Sequence, residues 1–215
     1  MSDIYHVAID GPSASGKGTA AANLSRELGI APLDTGAVYR GMAVHAKNIG
    51  FPKLPDGWIE SAKITAKIID NATHIYLDGV DITGKLRENE ISQIASKIAT
   101  ISEVRKYCIN IFHEIAKKQS LICEGRDICS VVLPNAKFKF YLTASAKVRA
   151  RRRYNELKAR GQDVPFKQVL GEIKSRDKRD ATQGGLVKTK DAIVIDSSRL
   201  DIDQMTQRML NLILG

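Results

Sequence analysis

A glycine-rich stretch near the amino terminus carries the residue types best suited to phosphate chemistry. It reads Gly11-Pro12-Ser13-Ala14-Ser15-Gly16-Lys17-Gly18-Thr19, after an apolar run at residues 7–9 and at the start of a helix-like segment, 19–28. A bound polyphosphate needs several inward backbone N–H groups, a helix N-terminus and a lysine that follows the terminal phosphoryl group. The stretch therefore predicts a strand, a phosphate-binding loop and a helix, and we assign ATP binding to residues 11–19.

This loop departs at one position from the template G-x-x-x-x-G-K-[ST]. Gly18 stands where the template has a hydroxyl residue, and Thr19 follows it. The G-K-G-T ending resembles that of nucleoside monophosphate kinases, and this resemblance narrows the class of phosphate-loop protein. Lys17 is the predicted catalytic cation, and Thr19 is the better candidate for a magnesium-binding hydroxyl.

Charged residues at the ends of two further predicted strands are also candidates. Asp34 ends a strand predicted at residues 30–34, and Thr35 and Arg40 follow it. Glu124 ends a strand predicted at 120–124. A carboxylate beside a phosphate loop has a use in holding magnesium, directly or through water. Glu124 is therefore the predicted metal-binding carboxylate, with Asp34 as a second choice. The alternatives without a catalytic role are that Glu124 caps a loop and that Arg40 is a charge on the protein surface.

Arginines on several segments supply positive charge for phosphoryl transfer. The reaction needs a positioned donor and acceptor and positive charge around three equatorial oxygens, with little covalent help from the protein. No general base is obligatory when the attacking atom is an ionised phosphate oxygen. We therefore predict Lys17, Arg126, Arg176 and Arg179 as the catalytic groups, with Arg40 and Arg87 or Arg105 as further phosphate ligands.

A second group of arginines, Arg149, Arg151, Arg152 and Arg153, lies on a predicted helix at residues 146–158. We interpret this run as a solvated helix face. No aromatic residues alternate with the charges to stack on bases, so we expect no nucleic-acid partner.

Composition and charge restrict the class of protein. Of the 215 residues, 43% are hydrophobic and 27% charged, as in soluble globular proteins. No apolar run approaches the roughly 20 residues of a membrane span, and residues 1–4 lack signal-peptide features, so we expect a cytoplasmic protein without a membrane partner. The net charge of +9 predicts an anionic partner. Three cysteines without a C-x-x-C pair are expected to be reduced thiols in or near the core.

The alternation of strands and helices predicts an α/β fold with a parallel sheet that binds ligands at the carboxyl ends of its strands. Residues 50 to about 95 interrupt it with a turn-rich link, a helix predicted at 59–69 and a hairpin with an Asp78-Gly79 turn. This α+β insertion suits an acceptor-binding module or a passive elaboration. The remaining strands are predicted at 137–142 and 192–196, and the remaining helices from Thr35, at 87–100, 104–118 and 166–180, and from an Asp201 cap to about 214.

Five blocks of sequence together resemble bacterial cytidylate kinase. They are Ile9-Asp10-Gly11-Pro12-Ser13 with Gly16-Lys17-Gly18-Thr19, Leu33-Asp34-Thr35-Gly36-Ala37-Val38-Tyr39-Arg40, Asp81-Ile82-Thr83-Gly84-Lys85-Leu86-Arg87, Glu124-Gly125-Arg126-Asp127, and Arg176-Asp177 with Arg179-Asp180. The similarity runs from about residue 4 to the end, in the family's order and spacing.

The resemblance implies ATP-dependent phosphorylation of CMP and dCMP by direct in-line transfer, as part of pyrimidine nucleotide metabolism. It implies a P-loop kinase fold: a five-stranded parallel sheet flanked by helices, with a small α+β NMP-binding insertion and a helical lid. The single domain would have its core at residues 1–49, 96–157 and 190–215, the insertion at about 50–95 and the lid at about 158–189. Mg²⁺ would accompany ATP, and the protein would be a monomer.

The resemblance also assigns the CMP-binding residues by matching position. They are Ser96, Arg105 and Asp127 at the cytosine, Thr35, Arg40 and Arg126 near the CMP phosphate, and Arg176 and Asp180 at the acceptor sugar and the lid. An acidic acceptor beside an arginine donor complements the amino group of cytosine and its N3 and O2 acceptors.

Two positions depart from the family pattern. Thr35 replaces a serine and keeps the hydroxyl. After Asp180 the family usually has one or two more arginines, whereas this chain has Ala181-Thr182-Gln183-Gly184-Gly185. We therefore expect a weaker lid on the ATP side, with slower turnover or compensation by Lys188.

Three rival functions share some of these features. A kinase for AMP, UMP or shikimate would share the loop but would not need the insertion or the pair of Asp127 and Arg105. A GTPase is disfavoured because the D-x-x-G match at residues 81–84 lies on the predicted hairpin and no N-K-x-D motif exists. A basic RNA-binding protein would show a steep salt dependence of RNA binding that ATP leaves unchanged.

Overall fold

The computed structural model describes residues 4–159, 161–182 and 185–215. The described chain divides into two units, which we call the first unit (Ala31–Leu121 with Ile4) and the second unit (the described residues of Tyr5–Ile30 and Ile122–Gly215). The boundaries predicted for a CMP-binding insertion and a lid stay predictions. Gln183 and Gly184 of that lid lie outside the described residues.

Strands and helices alternate over most of the chain. In chain order the elements are β1 (His6–Asp10), α1 (Lys17–Leu28), β2 (Ala31–Leu33), α2 (Thr35–Asn48), β3 (Ile64–Ile69), β4 (Ala72–Leu77), β5 (Val80–Asp81), a 3-10 helix (Thr83–Arg87), α3 (Asn89–Ile98), α4 (Ser102–Ala116), β6 (Leu121–Gly125), a π-helical turn (Ile128–Val132), β7 (Phe138–Thr143), α5 (Ala146–Ala159), α6 (Phe166–Thr182), β8 (Ile193–Asp196) and α7 (Ile202–Leu214). The five predicted main strands are confirmed, each to within one residue at either end.

Five strands form one sheet in the order β2-β6-β1-β7-β8. Strand β1 pairs in parallel with β7, and β7 pairs in parallel with β8. In the second unit the buried side chains around β1 come from both neighbouring strands and helices, including Ile9, Leu24, Phe140, Ile195 and Met209. A strand buried on both faces is apolar along its length, which explains the unbroken run at residues 7–9. The predicted five-stranded α/β sheet is therefore confirmed.

Two helices have side-chain caps at their N-termini, and both helices begin where the sequence predicts them to begin. The Asp34 carboxylate accepts a hydrogen bond of 3.0 Å from the Ala37 N–H and caps α2. Asp201 and Gln204 form a reciprocal capping box at α7, with bonds of 2.8 and 3.1 Å. Both caps satisfy N–H groups that have no partner within their helices.

The prediction of a helix at residues 59–69 is wrong. Its second half is strand β3, which pairs antiparallel with β4 in a separate sheet ordered β3-β4-β5. The two-residue Asp70-Asn71 turn joins them, with φ of 50° and 58°, and positive φ at both positions is what a tight hairpin turn requires. The alternation of Ile64, Ala66 and Ile68 was the correct signal, because a strand places every second residue on one face.

The three cysteines are free and buried, as predicted. Burial raises the pKa of the Cys108 thiol to about 12. In the described part of the chain, no helix combines the length and the apolar character that crossing a membrane requires.

Candidate active site

A cavity of about 450 Å³ opens over the phosphate loop of the second unit. Its floor is the loop itself, and its walls carry charged side chains from β6, the residue after β6, α5 and α6. The lining residues are Ser13, Ala14, Gly16, Lys17, Gly18, Thr19, Glu124, Arg126, Arg153, Glu156 and Arg176. Lys17, Thr19, Glu124, Arg126 and Arg176, which we predicted as functional from separate segments, therefore line one cavity.

Two glycines give the loop its shape. Gly11 has φ of 153°, and a Cβ atom there would lie 2.0 Å from the Leu142 carbonyl oxygen, so the main chain of β7 leaves no space for a side chain. Gly16 has φ of 101° and immediately precedes the first residue of α1. The N-terminus of α1 therefore begins at the cavity, where its unpaired N–H groups favour an anion.

Lys17 is buried, with 5% of its surface exposed. Its ammonium group donates a 2.9 Å hydrogen bond to the Pro12 carbonyl oxygen. Burial, followed by the positive charge of Arg126, lowers the pKa of Lys17 to about 8, whereas the Glu124 carboxylate opposes this shift. An anionic phosphate in the cavity would favour the charged form of Lys17 and replace the lost hydration.

Glu124 and Thr19 are the residues that would hold a magnesium ion. Both line the cavity, and the Glu124 Oε1 atom lies 3.9 Å from the Cβ position of Gly18. No group of three or more His, Cys, Asp or Glu residues suited to a metal occurs in the described ranges. Magnesium usually takes one or two oxygen ligands from the protein and the rest from water and phosphate. One carboxylate and one hydroxyl therefore fit this ion.

Arg126 and Arg176 place two guanidinium groups at the cavity. Arg126 Nε donates to Asp180 Oδ2 at 2.9 Å, and both side chains are about four-fifths buried, with exposures of 22% and 19%. Partial burial and the neighbouring Arg126 charge lower the pKa of Arg176. Arg179 is exposed and is absent from the cavity lining. Of the predicted catalytic arginines, two therefore border the loop, and the third lies further along α6.

Asp10 is a functional candidate that sequence reasoning used only as part of a motif. It is fully buried and accepts hydrogen bonds from the Ile128 and Cys129 N–H groups, at 2.9 and 2.8 Å. Burial raises the pKa of Asp10, and the Asp127 charge adds to that shift. Asp10 thus fixes the backbone that directly follows Asp127, the residue predicted to contact cytosine. Its place at the end of an apolar strand, before the glycine-rich loop, was the available signal.

The arginine run on α5 is not a solvated face, and this prediction is wrong for two of its members. Arg149 is 5% exposed, and its guanidinium contacts Ser13 and Asp177. Arg152 donates to the Ser15 and Ser197 carbonyl oxygens at 3.1 and 2.7 Å. The run contains four arginines in five residues, so spacing alone could not distinguish the inward side of the helix.

The other two arginines of the run have different environments. The Arg151 guanidinium is exposed and lies 4.4 Å from the centre of the Phe166 ring. Arg153 pairs with Glu156 at 3.1 Å, and both residues line the cavity. The four arginines therefore divide into two that hold the loop, one that stacks on α6 and one that faces the cavity.

The first unit carries the remaining predicted CMP ligands on three helices. Thr35 begins α2. In the same helix, a terminal guanidinium nitrogen of Arg40 lies 3.5 Å from Asp34 Oδ2. Ser96 is exposed on α3, and Arg105 is half-buried on α4. Asp34 already accepts a bond from the Ala37 N–H, which favours Glu124 as the metal-binding carboxylate of the two considered.

Comparisons with known proteins agree with the resemblance. The family model for cytidylate kinase matches residues 7–214. The cytidylate kinase of Caldicellulosiruptor bescii is 43% identical over 96% of this chain and 94% of that protein, and that of Thermosipho melanesiensis is 44% identical over 96% and 95%. A crystal structure of shikimate kinase from Bacteroides thetaiotaomicron shares the fold, with a TM-score of 0.51 and 14% identity over 99% of this chain and all of that one.

These findings confirm the predicted P-loop kinase fold and disfavour the GTPase and RNA-binding alternatives. The match spans the phosphate loop, the six helices α1–α6 that carry the site residues named above, and the turn after β6. The chain belongs to the cytidylate kinase family of phosphotransferases.

Proposed function

We propose that this protein transfers the terminal phosphoryl group of ATP to CMP and dCMP, which gives CDP and dCDP. The observation that carries the proposal is the cytidylate kinase match over residues 7–214. The cavity supports it, because Lys17, Arg126 and Arg176 surround the loop with positive charge where a triphosphate would end. Electrostatic stabilisation of this kind is the main service that a protein gives to phosphoryl transfer.

The ATP side of the reaction rests on residues 11–19. The N–H groups of the loop and of the first turn of α1 would bind the phosphates, and Lys17 would follow the transferred group. Thr19 and Glu124 would hold Mg²⁺, Glu124 through water; when bound, that ion neutralises charge on the phosphates of ATP. The burial of Lys17 strengthens its interaction with a phosphate, since little water competes for the ammonium group.

The CMP side of the reaction rests on the residues that the family resemblance assigns. Ser96, Arg105 and Asp127 would read the cytosine, because a carboxylate accepts from the exocyclic amino group and an arginine donates to the ring acceptors. The CMP phosphate would bind Thr35, Arg40 and Arg126, and the sugar would bind Arg176 and Asp180. Arg179 would contribute when the lid closes and excludes water. The attacking phosphate oxygen is ionised at neutral pH, so none of these residues is needed as a base.

The first test is a coupled assay of ADP release with ATP and Mg²⁺ against six acceptors in parallel: CMP, dCMP, UMP, AMP, GMP and shikimate. We expect turnover with CMP and dCMP, little with UMP and none with the others. The Lys17→Met variant serves as the matched control for contaminating ATPase activity. Equal or faster turnover with AMP, UMP or shikimate would instead assign the chain to another branch of the P-loop kinases.

A further inference from the structure

Side chains hold the carbonyl groups of the phosphate loop, and all of these donors except Lys17 are absent from the cavity lining. Lys17 donates to the Pro12 oxygen at 2.9 Å and Arg149 to the Ser13 oxygen at 3.2 Å. The Ser15 oxygen accepts from Arg152 and from the Ser197 hydroxyl, both at 3.1 Å. Three loop carbonyls therefore each have a side-chain donor.

A fixed carbonyl also fixes the N–H group of the same peptide. In a planar trans peptide the C=O and N–H bonds point in opposite directions. The Ser13 carbonyl shares its peptide with the Ala14 N–H, and both residues line the cavity. A donor that holds the Ser13 oxygen outward therefore aims the Ala14 N–H inward, as an anion-binding loop requires.

Arg149 is built for this contact and not for a contact with substrate. Its Nε donates to the Ala144 oxygen at 2.8 Å, and its two terminal nitrogens pair with both oxygens of Asp177 at 2.8 and 2.7 Å. The side chain is only 6% exposed and is absent from the cavity lining. The bidentate partner neutralises its charge, so Arg149 contributes little attraction for an anion.

The partner residue connects the loop to α6. Asp177 stands next to Arg176, which lines the cavity. The Arg149–Asp177 pair therefore joins the Ser13 carbonyl to the helix that supplies a cavity arginine. Because both side chains make several hydrogen bonds in fixed geometry, the pair restricts the position of loop and helix together.

We propose that Arg149 and Asp177 form a positioning pair for the triphosphate site, which aims the Ala14 N–H at the phosphates and holds α6 beside the loop. The inference deepens the proposed function and rests on it for the identity of the nucleotide. It makes a prediction that a simple charge effect would not make. Arg149→Gln removes a positive charge and Asp177→Asn removes a negative one, yet loss of the same positioning contact should weaken phosphate binding in both variants.

The experiment measures binding of ATP and of inorganic tripolyphosphate by calorimetry, without CMP, to the wild type and to both variants. We expect both variants to bind each ligand about tenfold or more weakly, the loss typical of a charge-assisted hydrogen bond. Arg151→Gln is the matched control, because Arg151 lies on the same helix, is exposed and stacks on Phe166. Its affinities should equal those of the wild type. In steady state, kcat/KM for ATP should fall in the two variants and stay at the wild-type value in Arg151→Gln.

Three results would overturn the inference. Tighter binding by Asp177→Asn would mean that charge decides, and wild-type affinities with a lower Tm would mean that the pair only stabilises the fold. Failure of the wild type to bind either ligand would remove the triphosphate site itself. Arg149→Lys, which keeps the charge and not the bidentate fork, gives a milder variant if Arg149→Gln does not fold, and it should also bind more weakly. Normal ATP binding without CMP turnover would refute the proposed function and leave the positioning pair intact.

Discussion

The charged side chains that hold the phosphate loop of the second unit are buried, whereas ion pairs of the first unit are open to water. Around the phosphate loop of the second unit, Asp10 is fully buried and Lys17 and Arg149 are each 5% exposed. In the described part of the first unit, ion pairs such as Arg40–Asp34 are exposed, with side-chain exposures of 35% and 57%. The side chains of the His74–Asp81 pair are 30% and 44% exposed.

This difference indicates which half is organised before substrate arrives. Buried charges persist only when hydrogen bonds satisfy them, and such networks hold their geometry. Exposed pairs contribute about 0–1 kcal/mol each, so their members exchange partners at little energetic loss. We infer that the ATP side is preorganised, whereas residues such as Arg40 in the first unit stay available to pair with an incoming phosphate.

The largest expected effect follows from removing the buried charge at the loop. Lys17→Met should lower kcat by about 10²- to 10³-fold, because the transition state loses a preorganised cation. The measurement is CMP-dependent ADP release at saturating ATP and CMP. Lys167→Met, at an exposed position of α6, is the control and should leave kcat unchanged. Turnover of Lys17→Met near the wild-type rate would remove Lys17 from the catalytic role.

The same lysine should impose a pH dependence. Burial lowers the pKa of Lys17 from 10.5 to about 8, so the free protein loses this charge as pH rises through 8. We expect kcat/KM for ATP to fall above pH 8 in the wild type, and this descending limb should be absent from the Lys17→Met profile. A wild-type profile that is flat to pH 10 would contradict the lowered pKa.

Stability should change in the opposite direction. The folded pKa of Lys17 lies below its unfolded value, so charging Lys17 destabilises the folded state. This penalty is fully present below pH 8 and is relieved as pH rises from 8 to 10.5. Lys17→Met should therefore raise the Tm of the ligand-free protein below pH 8, with a gain that shrinks toward pH 10. Thermal unfolding across this pH range measures it.

The preorganised half was also the harder half to predict in full. The phosphate loop could be predicted because its function depends on a short local pattern. Arg149 and Arg152 could not, because their partners Ser13, Asp177 and Ser197 are distant in sequence. A run of like charges on a helix has no periodicity that identifies an inward side.

In the first unit the sequence predicted most elements and misassigned one. The predicted Asp78-Gly79 hairpin is confirmed, with φ of 51° and 81° at the turn. The sequence predicts a helix at strand β3 because, over a short range, its apolar residues match both the 3.6-residue period of a helix and the two-residue period of a strand. The Asp70-Asn71 turn could have decided the matter, since both residue types tolerate positive φ.

The next effect separates choice of base from binding of ATP. Asp127→Ala should raise KM for CMP by about 5- to 150-fold, the range for losing a group that reads a base. It should also relax the preference for cytosine while KM for ATP stays unchanged. Steady-state kinetics with CMP, UMP and AMP measure both properties. An unchanged ratio of kcat/KM for CMP over UMP would remove Asp127 from the base site.

The smallest effects compare packing in the two units through one kind of substitution. Gly41 lies in α2 of the first unit, where an added Cβ would approach the Ile75 Cγ2 atom to 2.7 Å. Ile75 is fully buried and has little room to move. Gly41→Ala should therefore lose about 1–3 kcal/mol to overpacking, against a gain of up to about 1 kcal/mol in helix propensity.

Gly171→Ala is the matched substitution in α6 of the second unit. Nothing lies within 4 Å of the added Cβ, and the residue is exposed. Only the higher helix propensity of alanine contributes at this position, so the free energy of unfolding should rise by about 0.5–1 kcal/mol. Denaturant unfolding of both variants gives the two signs directly. A stabilising Gly41→Ala would show that α2 and β4 can separate by a few tenths of an ångström without loss, and that the first unit is looser in its core as well as in its exposed ion pairs.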